Sequence, residues 1–215
     1  MEEKTKLVRV DPSHPESEVV AEAAELLLGG RLVAFPTDTV YGIAADATNE
    51  AAVLNIFKVK KRPRTMPLVV LVAEPSGALE LFSHVPTEAE ALANRFWPGP
   101  LTIILPGFKA LPLALTAGAP TLGVRCPNSA VAREVIRATK RPLATTSANI
   151  TGCDAPIDAQ GVLEQLGGRI PLILDGGPAK IGVASTIVDL SARPARVLRE
   201  GSVTKEALAR YVAVE

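Results

Sequence analysis

Arg31-Leu-Val-Ala-Phe-Pro-Thr-Asp-Thr-Val-Tyr-Gly42 decides how the chain is read. Residues 31–35 are a short, mainly apolar run that predicts a strand, ended by Pro36; residues 37–42 then form a loop rich in hydroxyls. Upstream, Ser13 and Glu16 have capping-box spacing, and apolar residues recur at Val19, Ala23, Leu26 and Leu27 before Gly29-Gly30. That pattern predicts a helix over 13–30. A helix, a strand and a polar loop at the strand's end together point to the α/β class, whose ligands bind at such loops.

The same alternation continues downstream. A helix is predicted over 50–59, capped by Asn49 or Thr48, followed by a strand over 68–72. Thr87 and Glu90 mark another helix start by capping-box spacing, and Trp97-Pro-Gly-Pro100 ends that helix. Strands are predicted over 101–105, 122–125, 142–146, 172–174, 185–190 and 196–199. Helices are predicted from Asn128 or Ser129 to about 138, near 158–166, and after Thr204. With no composition break, repeat or low-complexity linker, residues 1–215 read as one domain with its core over about 13–200.

The chain has 215 residues, 47% of them hydrophobic, with 23 basic against 23 acidic side chains. Zero net charge argues against a surface that grips nucleic acid everywhere, and leaves room for a local basic site. Aromatics at 4% argue against a platform for stacking single-stranded bases. Cys126 and Cys153, with His14 and His84, offer neither a disulfide framework nor a structural zinc site, and no metal ligands are expected. The first residues, Met-Glu-Glu-Lys-Thr-Lys, lack the apolar region of a signal peptide, and the apolar run over 68–73 is far too short to span a bilayer. The expectation is a cytoplasmic protein with no membrane association.

Four segments could carry chemistry. The loop at 37–42 can bind a polar ligand or satisfy its own backbone. Lys58-Val-Lys-Lys-Arg-Pro-Arg64 holds five cations in seven residues, a set suited to a triphosphate or an RNA backbone, or simply a solvated loop. Thr145-Thr-Ser-Ala-Asn149, at a strand end, can cradle phosphate or cap a turn. Arg125 and Arg199, at the ends of apolar strands, each need an anion, supplied by the protein or by a ligand. No Walker-type loop, Gly-x-Ser-x-Gly elbow or readable Ser-His-Asp set is present in the sequence.

In this order, seven segments resemble the YrdC/TsaC family of threonylcarbamoyl-AMP synthases. They are Phe35-Pro-Thr-Asp-Thr-Val-Tyr-Gly42; Ile56-Phe-Lys-Val-Lys-Lys-Arg-Pro63 with Pro67-Leu68; Phe96-Trp-Pro-Gly-Pro-Leu-Thr102; Leu122-Gly-Val-Arg-Cys-Pro127; Thr146-Ser-Ala-Asn149 with Gly152; Asp175-Gly-Gly-Pro178; and Ser185-Thr-Ile-Val-Asp189. The resemblance implies a twisted mixed sheet flanked by helices around a concave basic cavity. It implies that L-threonine, bicarbonate and ATP become threonylcarbamoyl-AMP and pyrophosphate, a nucleotidyltransferase reaction serving t6A modification of tRNA adenosine 37. Carried over by position, Thr39, Arg125, Thr145 and Ser185 hold threonine. Lys60, Arg62, Met66, Thr121, Ser147, Asn149, Ala155 and Arg199 hold ATP, with Lys60 and Arg62 as the catalytic pair. Mg2+ would arrive with ATP, bound mainly through phosphates.

The implied partners are a tRNA threonylcarbamoyltransferase complex and a weak contact with tRNA as double-stranded RNA. The chain departs from the family pattern at Met66, at Leu71, where many members have His, and at Ala155, where a hydroxyl is common. It ends soon after Arg199, as the short bacterial form does. The alternatives are a divergent YciO-like paralogue, or an RNA-binding factor using the same cavity.

Overall fold

The computed structural model describes residues 4–215, the side chain of Leu79 excepted; residues 1–3 of the polar N-terminal stretch lie outside the described residues. The strands are β1 (Lys6–Arg9), β2 (Val33–Pro36), β3 (Tyr41–Asp46), β4 (Val69–Leu71), β5 (Leu101–Pro106), β6 (Thr121–Arg125), β7 (Leu143–Ser147), β8 (Leu172–Asp175), β9 (Thr186–Asp189) and β10 (Arg196–Arg199). All ten join one sheet in the order β1-β8-β2-β3-β7-β4-β6-β5-β9-β10. The sheet is mixed: β8 runs parallel to β1 and β2, β4 to β6, and β5 to β9, while the other neighbours are antiparallel.

The helices are α1 (Ser17–Leu28), α2 (Glu50–Lys60), α3 (Pro75–Leu79), α4 (Thr87–Phe96), α5 (Ala130–Thr139), α6 (Ala159–Leu166) and α7 (Lys205–Leu208), with a 3₁₀ turn at Leu113–Thr116. Asn49, Ser129, Asp158 and Thr204 cap α2, α5, α6 and α7 by accepting from the backbone N–H three residues on. These are the short polar side chains that satisfy the orphan donors of a helix start.

Two predicted caps do not form. Asp11 Oδ1 takes the N–H groups of Ser13 and His14 in a tight turn, at 2.7 and 2.9 Å, and Glu16 Oε2 accepts from Asp11 N. Pro15 disfavours helical backbone at His14, so α1 starts at Ser17 and not at 13. At α4 the flanking residue is Pro86, whose carbonyl accepts from Ala89 and Glu90, so Thr87 is already the first helical residue. Pro36, expected to end β2, belongs to it and pairs with Tyr41.

The two faces of the sheet are filled differently, and this positions the site. On one face α2, α3, α4, α6 and α7 and the 3₁₀ turn bury the larger core, with Ile43, Val70, Ile103, Val124 and Val188 pointing into it. On the other face α1 and α5 cover a smaller core that includes Val33, Phe35, Ala44, Leu71, Leu143 and Leu172. Side chains alternate along a strand with period two. The next positions on this second face, from β3 to β10, leave the cover of α1 and α5.

Candidate active site

A cavity of about 240 Å³ opens over that part of the second face. Its floor is made largely of alternate strand residues, Gly42 on β3, Thr145 and Ser147 on β7, Val69 and Leu71 on β4, Arg125 on β6, Thr102 on β5, Ile187 on β9 and Arg199 on β10, and Tyr41 on β3 and Thr146 on β7 also line it. Its rim comes from loops: Thr37 and Thr39 between β2 and β3, Arg62, Met66 and Pro67 after α2, and Ala184 and Ser185 before β9. Gly42 keeps the floor low. A Cβ there would come within 3.0 Å of Thr145 Cγ2.

The register explains the convergence. Leu71 is the Cα partner of Arg125, Val69 pairs with both Gly123 and Thr145, and Gly42 pairs with Ser147. Neighbouring strands lie about 4.8 Å apart, so these residues form one contiguous floor. Among the described residues, three arginines are the only charged side chains in the lining.

Arg125 is held on three sides. Its Nε donates to the Gly99 carbonyl at 2.9 Å, Nη1 donates to Thr39 Oγ1 at 2.8 Å, and Nη2 pairs with Asp38. Thr39 Oγ1 lies 3.0 Å from Thr37 Oγ1, which donates to the Val40 carbonyl. The anion that the strand-end arginine needs is thus supplied by the protein itself. Burial pushes the Arg125 guanidinium down and Asp38 opposes that effect.

Arg199 donates from Nε to the Ser185 carbonyl at 2.9 Å and from Nη2 to Ser185 Oγ at 3.3 Å; the Ser185 hydroxyl also lies 2.9 Å from Thr102 Oγ1. Arg62 donates to the carbonyls of Met66 and Pro67, holding its own loop closed. Burial lowers the pKa of both guanidinium groups, and neither has an acidic partner among the described residues.

Of the residues singled out from the sequence, Thr39, Arg62, Met66, Arg125, Thr145, Ser147, Ser185 and Arg199 meet in this cavity. Lys60, Thr121, Asn149 and Ala155 do not line it. Lys60 is fully buried, and its Nζ donates to the carbonyls of Ser147 and Asn149, both at 2.5 Å, and to Asn149 Oδ1 at 3.4 Å. Burial, and secondarily the nearby charge of Arg62, push its ammonium down to about 7. Asn149 accepts from Ser147 Oγ and donates to the Ile150 and Cys153 carbonyls, so it shapes the loop after β7. Thr121 stands at the other end of β6 from Arg125, about 13 Å along the strand. Ala155 lies in the loop between β7 and α6.

Sequence reasoning placed Asp38 and Gly42 in a candidate binding loop without giving either a role, and it gave Thr102 none although it sits inside a quoted segment. The available signal was the period-two placement of Thr102 on the predicted strand over 101–105, facing away from the larger core. Among the described residues, no group of three or more His, Cys, Asp or Glu side chains could hold a metal ion. Among the same residues, no helix is long and apolar enough to cross a membrane.

A model of the Sua5/YciO/YrdC family, described as "Telomere recombination", matches residues 25–201. The threonylcarbamoyl-AMP synthase of Pyrococcus abyssi is 43% identical over 190 residues, covering 88% of this chain and 56% of that protein. The threonylcarbamoyl-AMP synthase of Bacillus subtilis is 44% identical over 188 residues, covering 87% and 54%. This chain therefore spans little more than half the length of these two relatives. The crystal structure of P. abyssi Sua5 complexed with L-threonine superposes with a TM-score of 0.94 at 40% identity, covering 98% of this chain and 63% of that one.

Proposed function

Because this chain belongs to the Sua5/YciO/YrdC family, we propose that it is an L-threonylcarbamoyladenylate synthase, making threonylcarbamoyl-AMP and pyrophosphate from L-threonine, bicarbonate and ATP. The observation that carries this reading is the convergence of Arg62, Arg125 and Arg199 with the hydroxyls of Thr39, Thr145, Ser147 and Ser185 in one cavity whose lining holds no carboxylate. The names of the two relatives and the threonine complex of P. abyssi Sua5 support it.

The chemistry asks for such a lining. Threonine's amine joins bicarbonate to give a carbamate and water. A carbamate oxygen then attacks the α-phosphorus of ATP, the bond to the β-phosphate breaks, and pyrophosphate leaves with that electron pair. Two anions must meet, and fixed cations offset their repulsion where charge develops. No side chain has to become a covalent nucleophile.

In this reading Arg125, Thr39, Thr145 and Ser185 hold threonine. Arg62, Ser147 and Arg199 face the nucleotide, and Met66 lies against it at the rim. Lys60 and Asn149 act on the nucleotide through the loop that they shape. Thr121 and Ala155 would reach ATP only where it extends beyond the cavity. ATP enters as its magnesium complex, the ion held by phosphate oxygens and water. The reading further places the reaction in the cytoplasm and passes the product to a tRNA threonylcarbamoyltransferase complex for t6A at adenosine 37, with a weak contact to tRNA as double-stranded RNA.

The test is pyrophosphate release from ATP with magnesium, leaving out threonine and bicarbonate one at a time. Release that requires both is the expected result. Release indifferent to threonine, or none, sinks the assignment and leaves a YciO-like paralogue or an RNA-binding factor to be tested.

A further inference from the structure

Asp38 belongs to a segment that the sequence singled out, yet it has no part in the function proposed above. It is 4% exposed. One carboxylate oxygen, Oδ1, pairs with Arg125 Nη2 and accepts from Asn128 N at 3.1 Å; the other, Oδ2, is buried without a hydrogen-bond partner. A buried carboxylate oxygen left without a donor is costly, and a buried ion pair is seldom the cheapest way to hold a fold together. An asparagine could accept from the same two donors only through neutral hydrogen bonds, about half as strong as charge-assisted ones, and would hold the guanidinium orientation less firmly. What the carboxylate adds is a full negative charge beside Arg125.

Resting on the function proposed above, we propose that Asp38 is a positioning residue for the amino-acid substrate. It neutralises Arg125 in place and fixes the orientation of its guanidinium toward the substrate carboxylate. Guanidinium has five N–H donors; Gly99, Thr39 and Asp38 each take one. One N–H on Nη1 and one on Nη2 remain to donate to the substrate carboxylate.

The charge is divided accordingly. Arg125 carries its own counter-ion, so it reads geometry more than charge. Among the described residues, Arg62 and Arg199 donate only to carbonyl and hydroxyl oxygens, and they keep their full charge for phosphates. Asp38 also ties three elements together, since it reaches β6 through Arg125, the start of α5 through Asn128, and the segment before β9 through its own carbonyl, which accepts from Ile181 N at 2.9 Å.

The experiment measures KM for L-threonine and for ATP by pyrophosphate release in wild type, Asp38→Asn and Asp38→Glu, with L-threonine binding followed by calorimetry. In Asp38→Asn the threonine KM should rise by about tenfold or more, the loss expected for a charge-assisted contact, while the ATP KM stays within about threefold. Asp38→Glu, which restores the charge at a shifted position, should fall between wild type and Asp38→Asn. If Asp38→Asn does not fold, Asp38→Glu decides alone: a raised threonine KM with an unchanged ATP KM supports the proposal. An unchanged threonine KM, or both KM values rising by the same factor, overturns it. A wild type that neither binds threonine nor turns over overturns the functional reading and this proposal together. A wild type that turns over while Asp38→Asn matches it overturns this proposal alone.

Discussion

Lys60 shows how a single side chain can serve a site without entering it. Its ammonium is spent on the carbonyls of Ser147 and Asn149, and it holds the loop whose Ser147 lines the cavity. Lys60→Met should leave two carbonyl oxygens without their donor, at about 1–3 kcal/mol each, and this can be read by urea unfolding. The pH dependence has a definite sign. The folded-state pKa, about 7, lies below that of an unfolded lysine, so between about pH 7 and 10 the unfolded chain binds more protons. Wild-type stability relative to Lys60→Met should therefore rise across that window, and a flat difference would refute the buried-lysine account. Arg62→Ala tests a different kind of residue. Its side chain is half-buried at the rim, without an acidic partner among the described residues, so the fold should persist while the ATP KM rises about tenfold or more. An ATP KM equal to that of wild type would remove Arg62 from the nucleotide site.

At the scale of elements, β9 and β10 act as a bracket around Ser185 and Arg199. Gly201 packs so closely that a Cβ would collide with the Ala184 carbonyl and lie 2.9 Å from Thr186 N. Thr186 Oγ1 accepts from both Gly201 N and Val203 N. Gly201→Ala should push β10 outward, moving Arg199 from Ser185. The expected outcome is a cost of about 1–3 kcal/mol in unfolding together with a raised ATP KM. Preserved stability and kinetics would show that the bracket yields without consequence.

The elements also show what could be read in advance. Strands with sharp flanks, such as β5, β6 and β8, were legible because turn residues bound an apolar run. β3 was not: Tyr41-Gly-Ile-Ala-Ala-Asp46 is buried on both faces, so the alternation that marks a half-exposed strand is absent. β1 is a short, mostly exposed edge strand with Lys6 and Arg9, and it exists because β8 offers it a partner. The site split in the same way. Arg125 and Arg199 were legible as strand-end cations, but the identity of the anion on Arg125 was not, because Asp38 is brought to it from 87 positions away.

For the molecule as a whole, the cavity lies across one continuous sheet, from β3 to the edge strand β10. Ligands that bind only the folded state should therefore stabilise the entire cooperative unit. At about 100 times its Kd, each substrate should add about 2.7 kcal/mol to unfolding, seen as a rise in Tm. No shift with either L-threonine or ATP would argue that the cavity does not bind them. The uneven cover of the sheet has a consequence for how the protein tolerates change. Along β7, Ala144 lies in the larger core while Thr145 and Ser147 floor the cavity; along β6, Val124 and Arg125 divide in the same way. Structural and ligand-facing roles thus interleave one residue at a time within a strand. A saturation scan of these strands should separate into two combs, one whose teeth cut cellular abundance and one, offset by a single residue, whose teeth cut turnover at normal abundance.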